Sequence, residues 1–253
     1  MGINRNLGGF GASANISGFV ANTQITGLIT APQIGSVSNT AITGVITAPQ
    51  IAPSAIPAGG FSNMQVFTSP GAFTTPPTTT KIKVTVVGGG GGGGGNSGGG
   101  AGNGGGAGGA AIRVTPVTAA TPYPVTIGPA GAASGTPGVG GTGGTSSFGA
   151  LASATGGTGG SPCAMGRGGI GSSGDLNLRG ASSVYRFQSQ VDCGGVGSPG
   201  GNSILGGGGH AGNDTTPTLA VGQTGSGGAG RTTFGPAAGN GFAGGAGVVI
   251  VEF

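Results

Sequence analysis

Lys81-Ile-Lys-Val-Thr-Val-Val87 runs straight into eight consecutive glycines, Gly88 to Gly95. The first half alternates β-branched and polar residues, which predicts a strand. The second half has no side chains at all. Glycine-rich texture recurs at 98–109, 138–144, 156–160, 194–201, 206–209, 225–230 and 239–247, and the final VVIVEF (248–253) is strand-like again. Residues from about 64 to 253 therefore read as one module, opened and closed by strands around a glycine-rich body.

Glycine makes up 68 of the 253 residues, a bias that points first to disorder or to a fibrous architecture. Disorder usually accompanies low hydrophobicity and many charges. Here 35% of residues are hydrophobic and 5% are charged, so an ordered but unusual fold is favoured. Collagen fails, because GGGGGGGG, GNGGGAGGAA and GVGGTGGTSS keep no phase of glycine at every third position. The remaining option is a set of polyproline-II-like glycine segments packed side by side. Such a helix makes no internal hydrogen bonds, and eight residues of it span roughly 25 Å. Its N–H and C=O groups must bond to neighbouring segments, and only glycine lets backbones come that close.

The net charge of +4 comes from eight scattered Lys and Arg against Asp175, Asp192, Asp214 and Glu252. No basic run exceeds Lys81-Ile-Lys83, which argues against nucleic acid as a partner. No stretch approaches 18 unbroken apolar residues, so no transmembrane helix is expected. The opening MGINRNLGGFG shows neither the charged nor the apolar region of a signal peptide. Asn6 departs from the myristoylation pattern.

Residues 1–15 are small and polar and read as an attachment arm. From Ile16 a repeat begins: ISGFV at 16, ITGLI at 25 and ITGVI at 42, with ITAPQI at 29–34 and again at 46–51. Short repeats of this kind suggest a stacked β architecture. One layer of it cannot bury its apolar row alone. Residues 16–60 are thus expected to form an oligomeric shaft, three copies about an axis, ending in the APSAIPAGG hinge. Residues 61–253 form the head. Its strand segments carry Val84, Val86, Ile112, Val114, Val125, Ile127, Val249 and Val251 as candidate core. The intervening stretches 146–157, 161–195 and 210–222 read as loops at the ends of the glycine bundle.

Catalytic and cofactor chemistry find little support. Gly88, Gly90 and Gly93 satisfy G-x-G-x-x-G, but any polyglycine run does, and no acidic residue follows until Asp175. Neither lysine follows a glycine, so there is no Walker A motif. His210 is the single histidine, and its spacing to Asp192 or Asp214 supports no triad. Metal ligands are too few for a dedicated site. Cys163 and Cys193 bracket the most charged stretch. Paired, they would staple its base and contribute about 3–4 kcal/mol; unpaired, they are small buried hydrophobes. Tyr185, Arg186 and Phe187 form the only place where aromatic and cationic residues adjoin. They either build a contact patch with Arg179, His210 and Phe234 or pack inward.

KIKVTVVGGGGGGGG (81–95), GGAAIRVTPVTAATPYPVTIGPAG (108–131), GTSSFGALASATGG (144–157), SSGDLNLRG (172–180), SILGGGGHAGN (203–213) and GGAGVVIVEF (244–253) occur in that order. The series resembles the glycine-rich domain of bacteriophage tail-fibre and receptor-binding proteins, and the repeats at 25–51 resemble phage fibre shafts. The resemblance implies a mainly β head with polyglycine II helices and loops that touch a host-surface protein or polysaccharide. It implies no catalytic residue and no cofactor. By this analogy the loops at 161–193 and 210–218 face the receptor, residues 1–15 bind a tail or baseplate protein, and the chain belongs to a virion. The chain is too short for a long fibre by itself. Two other readings stand beside this one: a structural virion fibre or decoration protein, and an ice-binding protein, the latter disfavoured because threonines keep no regular rows in the sequence.

Overall fold

Glycine segments follow the strands that end at Val87, Thr126, Ala154 and Leu178, and short turns or loops join the other strands to one another. The computed structural model describes residues 60–96, 101–184, 197–210, 221–231 and 239–253. The chain separates into two compact units, 1–58 and 59–253. The arm and repeats lie outside the described residues.

Ten strands are formed and, among the described residues, no helix. They are β1 (Met64–Phe67), β2 (Gly71–Thr74), β3 (Lys81–Val87), β4 (Ala110–Pro116), β5 (Pro122–Thr126), β6 (Ser146–Phe148), β7 (Ala152–Ala154), β8 (Gly171–Ser172), β9 (Leu176–Leu178) and β10 (Val248–Glu252). One antiparallel sheet has the order β1-β10-β3-β4-β9 and the other β2-β5-β6-β7-β8. Their facing sides share one core. Ile82, Val84, Val86, Val249 and Val251 come from the first sheet, and Phe73, Val125, Phe148, Ala152 and Ala154 from the second. Phe148 stacks on Tyr123 with ring centroids 5.3 Å apart and meets Phe73 at 6.0 Å.

The β unit is larger than a clamp made from the two ends of the glycine region. Apart from Phe148, β6 to β9 are built from Ser, Ala, Gly, Leu and Asn, residues with little strand preference, and pairing with neighbours decides them. β4 also faces the other way from the expected one. Val84 pairs with Arg113 and Val86 with Ala111, so Ala111, Arg113 and Thr115 take the inner face. Ile112 and Val114 point outward, and Val114 is 39% exposed. Arg113 is tolerated inside because its guanidinium donates to the Leu151 carbonyl at 2.7 Å and the Ser173 carbonyl at 3.0 Å. Burying such a group unpaired would be costly.

Beyond the strands, segment 88–96 is surrounded on all sides by backbone. Its N–H groups donate in rotation to three neighbours. Gly88, Gly91 and Gly94 donate to Gly109, Gly106 and Asn103; Gly89, Gly92 and Gly95 to Gly144, Gly141 and Gly138; Gly90, Gly93 and Asn96 to Gly245, Phe242 and Gly239. These partners run antiparallel to it. Its carbonyls accept in the same rotation from three parallel neighbours: Gly157 and Gly160, Gly131 and Ser134, Gly228 and Arg231. No hydrogen bond closes within the segment, and the repeat is three residues.

Segment 101–109 has a shell of the same kind. It bonds to 88–94, 155–161, 225–231, 166–169, Ala181 and 198–201. The flanking segments bond to one another in a closed circuit. In order around the pair they are 128–134, 138–144, 155–161, 166–170, 180–183, 198–202, 225–231 and 239–247, the last returning to the first through Gly247 N–H to Gly128 O. Two enclosed segments thus sit within a ring of eight. Segment 225–230 is itself fully buried, because Gly209 and Gly222 bond beside it on its outer flank.

Position in this bundle explains local composition. In the enclosed segments every residue is buried, and a Cβ at Gly91, Gly92 or Gly93 would run into the carbonyls of Thr158, Ala132 or Ala229. On the ring one residue in three turns inward: Gly128, Gly131 and Ser134; Gly140 and Gly143; Gly157 and Gly160; Gly166 and Gly169. The other positions take Thr, Val, Pro or Arg where they face solvent, and often Gly again where they lie against a neighbouring segment, as at Gly156, Gly159 and Gly168. Three ring segments therefore escape a search for glycine runs: 128–134, 166–170 and 180–183.

Hydroxyls stand in where a neighbouring carbonyl is absent. Ser198 Oγ accepts from Gly104 N–H at 2.8 Å, Thr158 Oγ1 from Arg167 N–H at 2.7 Å, and Thr155 Oγ1 from Ile170 N–H at 2.9 Å. Ser146 Oγ accepts from Gly128 N–H at 2.9 Å where both are buried. Ser146→Ala would leave that N–H orphaned. The expected loss is about 1–3 kcal/mol, read as a shift in the denaturant midpoint with an unchanged slope.

Candidate functional site

The bundle has two ends of different character. One abuts the sandwich, because β3 leads into Gly88 and β4 out of Gly109. The far end is closed by side chains and short turns. There Asn96 Oδ1 accepts from Gly239 N–H at 2.9 Å. Asn103 Nδ2 donates to the Ser161 and Pro162 carbonyls, each at 3.1 Å. Thr136 Oγ1 donates to Asn240 Oδ1 at 2.8 Å, tying the 134–138 turn to the start of segment 239–247. Ser161 Oγ accepts from Ala164 N–H at 2.9 Å and shapes the turn carrying Cys163. Asn and Ser serve here because their short polar groups replace the lateral partners lost where segments stop.

Several connections leave from this end. The described residues flanking 97–100, 185–196 and 232–238 all lie there: Asn96 and Ala101, Val184 and Gly197, Arg231 and Gly239. Cys163 is half of a disulfide. Cys193 lies outside the described residues, as do Tyr185, Arg186, Phe187 and Phe234.

The stretch 161–195 is not one loop. Residues 166–170 and 180–183 are ring segments, with β8, a turn and β9 between them. The stretch 146–157 is likewise the β6–β7 hairpin followed by the start of a ring segment. The alternation of small and polar residues resembled loop composition because ring segments mix glycine with exposed polar residues.

This division separates the predicted contact residues. Arg179 is exposed and bridges to Ile170 beside the sandwich. His210 is exposed and follows Gly209, whose partners are Gly200 and Gly227 part-way along the bundle. Segment 198–202 stands between their two segments, so the structure does not bring Arg179 and His210 together.

Two short rows of two threonines each lie side by side. Thr142 and Thr145 lie beside Thr158 and Thr155 on adjacent ring segments, all of them exposed. Two of the four hydroxyls, those of Thr155 and Thr158, are occupied by backbone N–H groups. The signal for these rows was threonine spaced by three on either side of small residues.

Among the described residues no group of three or more His, Cys, Asp or Glu is placed to hold a metal ion. Nor is any helix among them long and apolar enough to cross a membrane.

No match was found among curated proteins. A family described as a glycine-rich domain matches residues 68–253. That span covers the alternation of strands and glycine segments almost from its first strand to its last, and on it the chain belongs to this family of glycine-rich domains.

Proposed function

We propose that this protein is a bacteriophage tail-fibre or tail-tip component that binds a receptor on the host surface through the far end of its glycine bundle. The observation that carries the reading is the closed ring of lateral hydrogen bonds around two enclosed segments, with connections gathered at the end away from the sandwich. Three-residue periodicity, no internal bonds and six neighbours per enclosed segment are what polyglycine II helices in a lattice require, and we read the segments as such. The resemblance of its ordered sequence blocks to those of phage fibre proteins suggests the biological setting.

The mechanism is rigidity. A scaffold whose backbone is bonded on every side has little freedom left to lose, so it presents loops at low ordering cost. It acts by binding, without catalysis or cofactor. Tyr185, Arg186 and Phe187 are the proposed anchors, with His210 on the flank. Arg179 stands at the sandwich end and is the weakest member of the set. Cys163 and Cys193 would hold the base of the anchor segment together. The Ile repeats are read as a homotrimeric shaft, residues 1–15 as the attachment to a tail or baseplate protein, and the receptor as an outer-surface protein or polysaccharide.

The test replaces Tyr185, Arg186 and Phe187 together by serine in the phage and measures adsorption. Shuffling residues 175–192 would be a poorer choice, since β9 and a ring segment lie within them. Loss of an aromatic–arginine hot spot predicts at least a tenfold fall in adsorption rate, roughly 1.4 kcal/mol or more of binding energy. Undiminished adsorption by a normally assembled virion would favour the purely structural fibre or decoration role.

A further inference from the structure

Two Asn-Gly pairs occur in the chain, Asn103-Gly104 and Asn240-Gly241. Such a pair can close on itself: the glycine nitrogen attacks the asparagine Cγ, and glycine has no Cβ to obstruct the approach. The bundle treats the two pairs differently. Asn103 is buried, and its Nδ2 donates to the Ser161 and Pro162 carbonyls. Gly104 N–H donates to Ser198 Oγ at 2.8 Å, so both reacting groups are held. Asn240 is exposed, and among the described residues Gly241 N–H donates no hydrogen bond.

The three-residue repeat shows why. Gly247 and Gly244 N–H donate to the Gly128 and Gly131 carbonyls at 2.9 and 3.0 Å, which calls next for Gly241 to Ser134. That bond is not made, and the buried Ser134 Oγ has no partner either. Lateral bonds lengthen toward the same corner. Gly131 N–H to Gly90 O is 2.8 Å but Ser134 N–H to Gly93 O is 3.2 Å; Gly92 N–H to Gly141 O is 2.8 Å but Gly95 N–H to Gly138 O is 3.2 Å. A corner bonded this loosely opens at lower cost than the enclosed segments.

We propose that Asn240 is a self-modification site, at which the folded chain converts its own side-chain amide to a carboxylate through a succinimide. A base from solvent takes the Gly241 amide proton, and Gly241 N bonds to Asn240 Cγ. The Cγ–Nδ2 bond breaks, and the nitrogen takes up a proton and leaves as ammonia. Water then opens the ring at either carbonyl, leaving aspartate or isoaspartate at 240, and nothing is oxidised or reduced. Thr136 assists: its hydroxyl donates to Asn240 Oδ1 at 2.8 Å, the oxygen that carries negative charge in the tetrahedral intermediate. The product places a carboxylate, and in isoaspartate an additional backbone methylene, at the far end of the bundle, one residue from Gly239, against which the Arg231 side chain lies. The conversion is independent of what that end binds.

The test ages the full-length chain in mildly alkaline buffer, folded and in denaturant, then cuts it briefly with trypsin and reads the fragments by mass spectrometry. Cleavage after Lys83, Arg113 and Arg231 puts Asn103 in fragment 84–113 and Asn240 in fragment 232–253. In denaturant the two should convert at similar rates, since both precede glycine. In the folded chain Asn240 should convert at least about tenfold faster than Asn103, because only Asn103 needs the bundle interior to open. Thr136→Val should slow Asn240 by about three- to tenfold, the kinetic value of one hydrogen bond, and leave the rate in denaturant unchanged. Thr136→Ser should keep the folded rate, which separates loss of the hydroxyl from a disturbed turn. Equal protection of both asparagines on folding overturns the inference. So does an undiminished rate in Thr136→Val, or a Thr136→Ser rate as slow as that of Thr136→Val.

Discussion

Gly93→Ala should cost more than about 3 kcal/mol, the upper part of the range for overpacking a dense interior. Gly93 lies in the enclosed segment, where its N–H donates to the Phe242 carbonyl at 2.8 Å and its carbonyl accepts from Ser134 N–H at 3.2 Å. A Cβ there would overlap the Ala229 carbonyl. In an ordinary core a side chain swings aside to admit a methyl. Here the obstacle is backbone, and the Ala229 carbonyl itself accepts from Phe242 N–H at 3.1 Å. Relief requires opening the ring, which breaks several lateral bonds at once. Gly135→Ala is the control: nothing stands within 4 Å of a Cβ at that position. It should change stability by less than about 0.5 kcal/mol. Denaturant unfolding of the two variants gives the comparison. Equal stability of both would mean that close backbone approach does not hold the bundle.

Phe148→Ala should remove about 3–5 kcal/mol, the usual loss on truncating a buried phenylalanine. The side chain is 0% exposed and lies between the sheets, in contact with Phe73 and stacked on Tyr123. Among the described residues the fully buried large apolar side chains belong to the strands; the interior of the bundle offers backbone and methyl groups. The cavity would be lined by Phe73, Val84 and Val125, residues of the same core cluster. Strands β5 and β6 continue into 128–134 and 138–144 on either side, so the loss should reach the bundle. A single cooperative transition at lower denaturant is the expected result. Two separated transitions would show that bundle and sandwich unfold independently.

The difference between these two positions is legible in the sequence only in part. The eight-glycine run marks an enclosed segment, because a Cβ at any of its positions would run into neighbouring backbone. Ring segments admit side chains where they face solvent, so the glycine signal in GPAGAAS, GRGGI and RGASS is diluted and vanishes into loop-like composition. The inner phases of β3, β5 and β10 follow from their alternation, and Val84, Val86, Val125, Ile127, Val249 and Val251 are buried as the pattern implies. β4 misleads, since Ala-Ala-Ile-Arg-Val-Thr suggests Ile and Val inward. Cross-strand register with β3 sends them outward and spends Arg113 on two inner carbonyls.

Arg179 shows the same limit for function. Six residues before Tyr185 in sequence, it stands at the opposite end of the bundle from Val184, because a ring segment lies between them. Sequence by itself determined that this chain alternates strands with glycine segments and that those segments must bond laterally, since a backbone without side chains and without internal bonds has no other way to satisfy its polar groups. Which segments are enclosed, which neighbours they choose and which connections share the far end were decided by tertiary structure. Glycine carries no side chain to distinguish one partner from another, so partners are set by the strands to which each segment is joined.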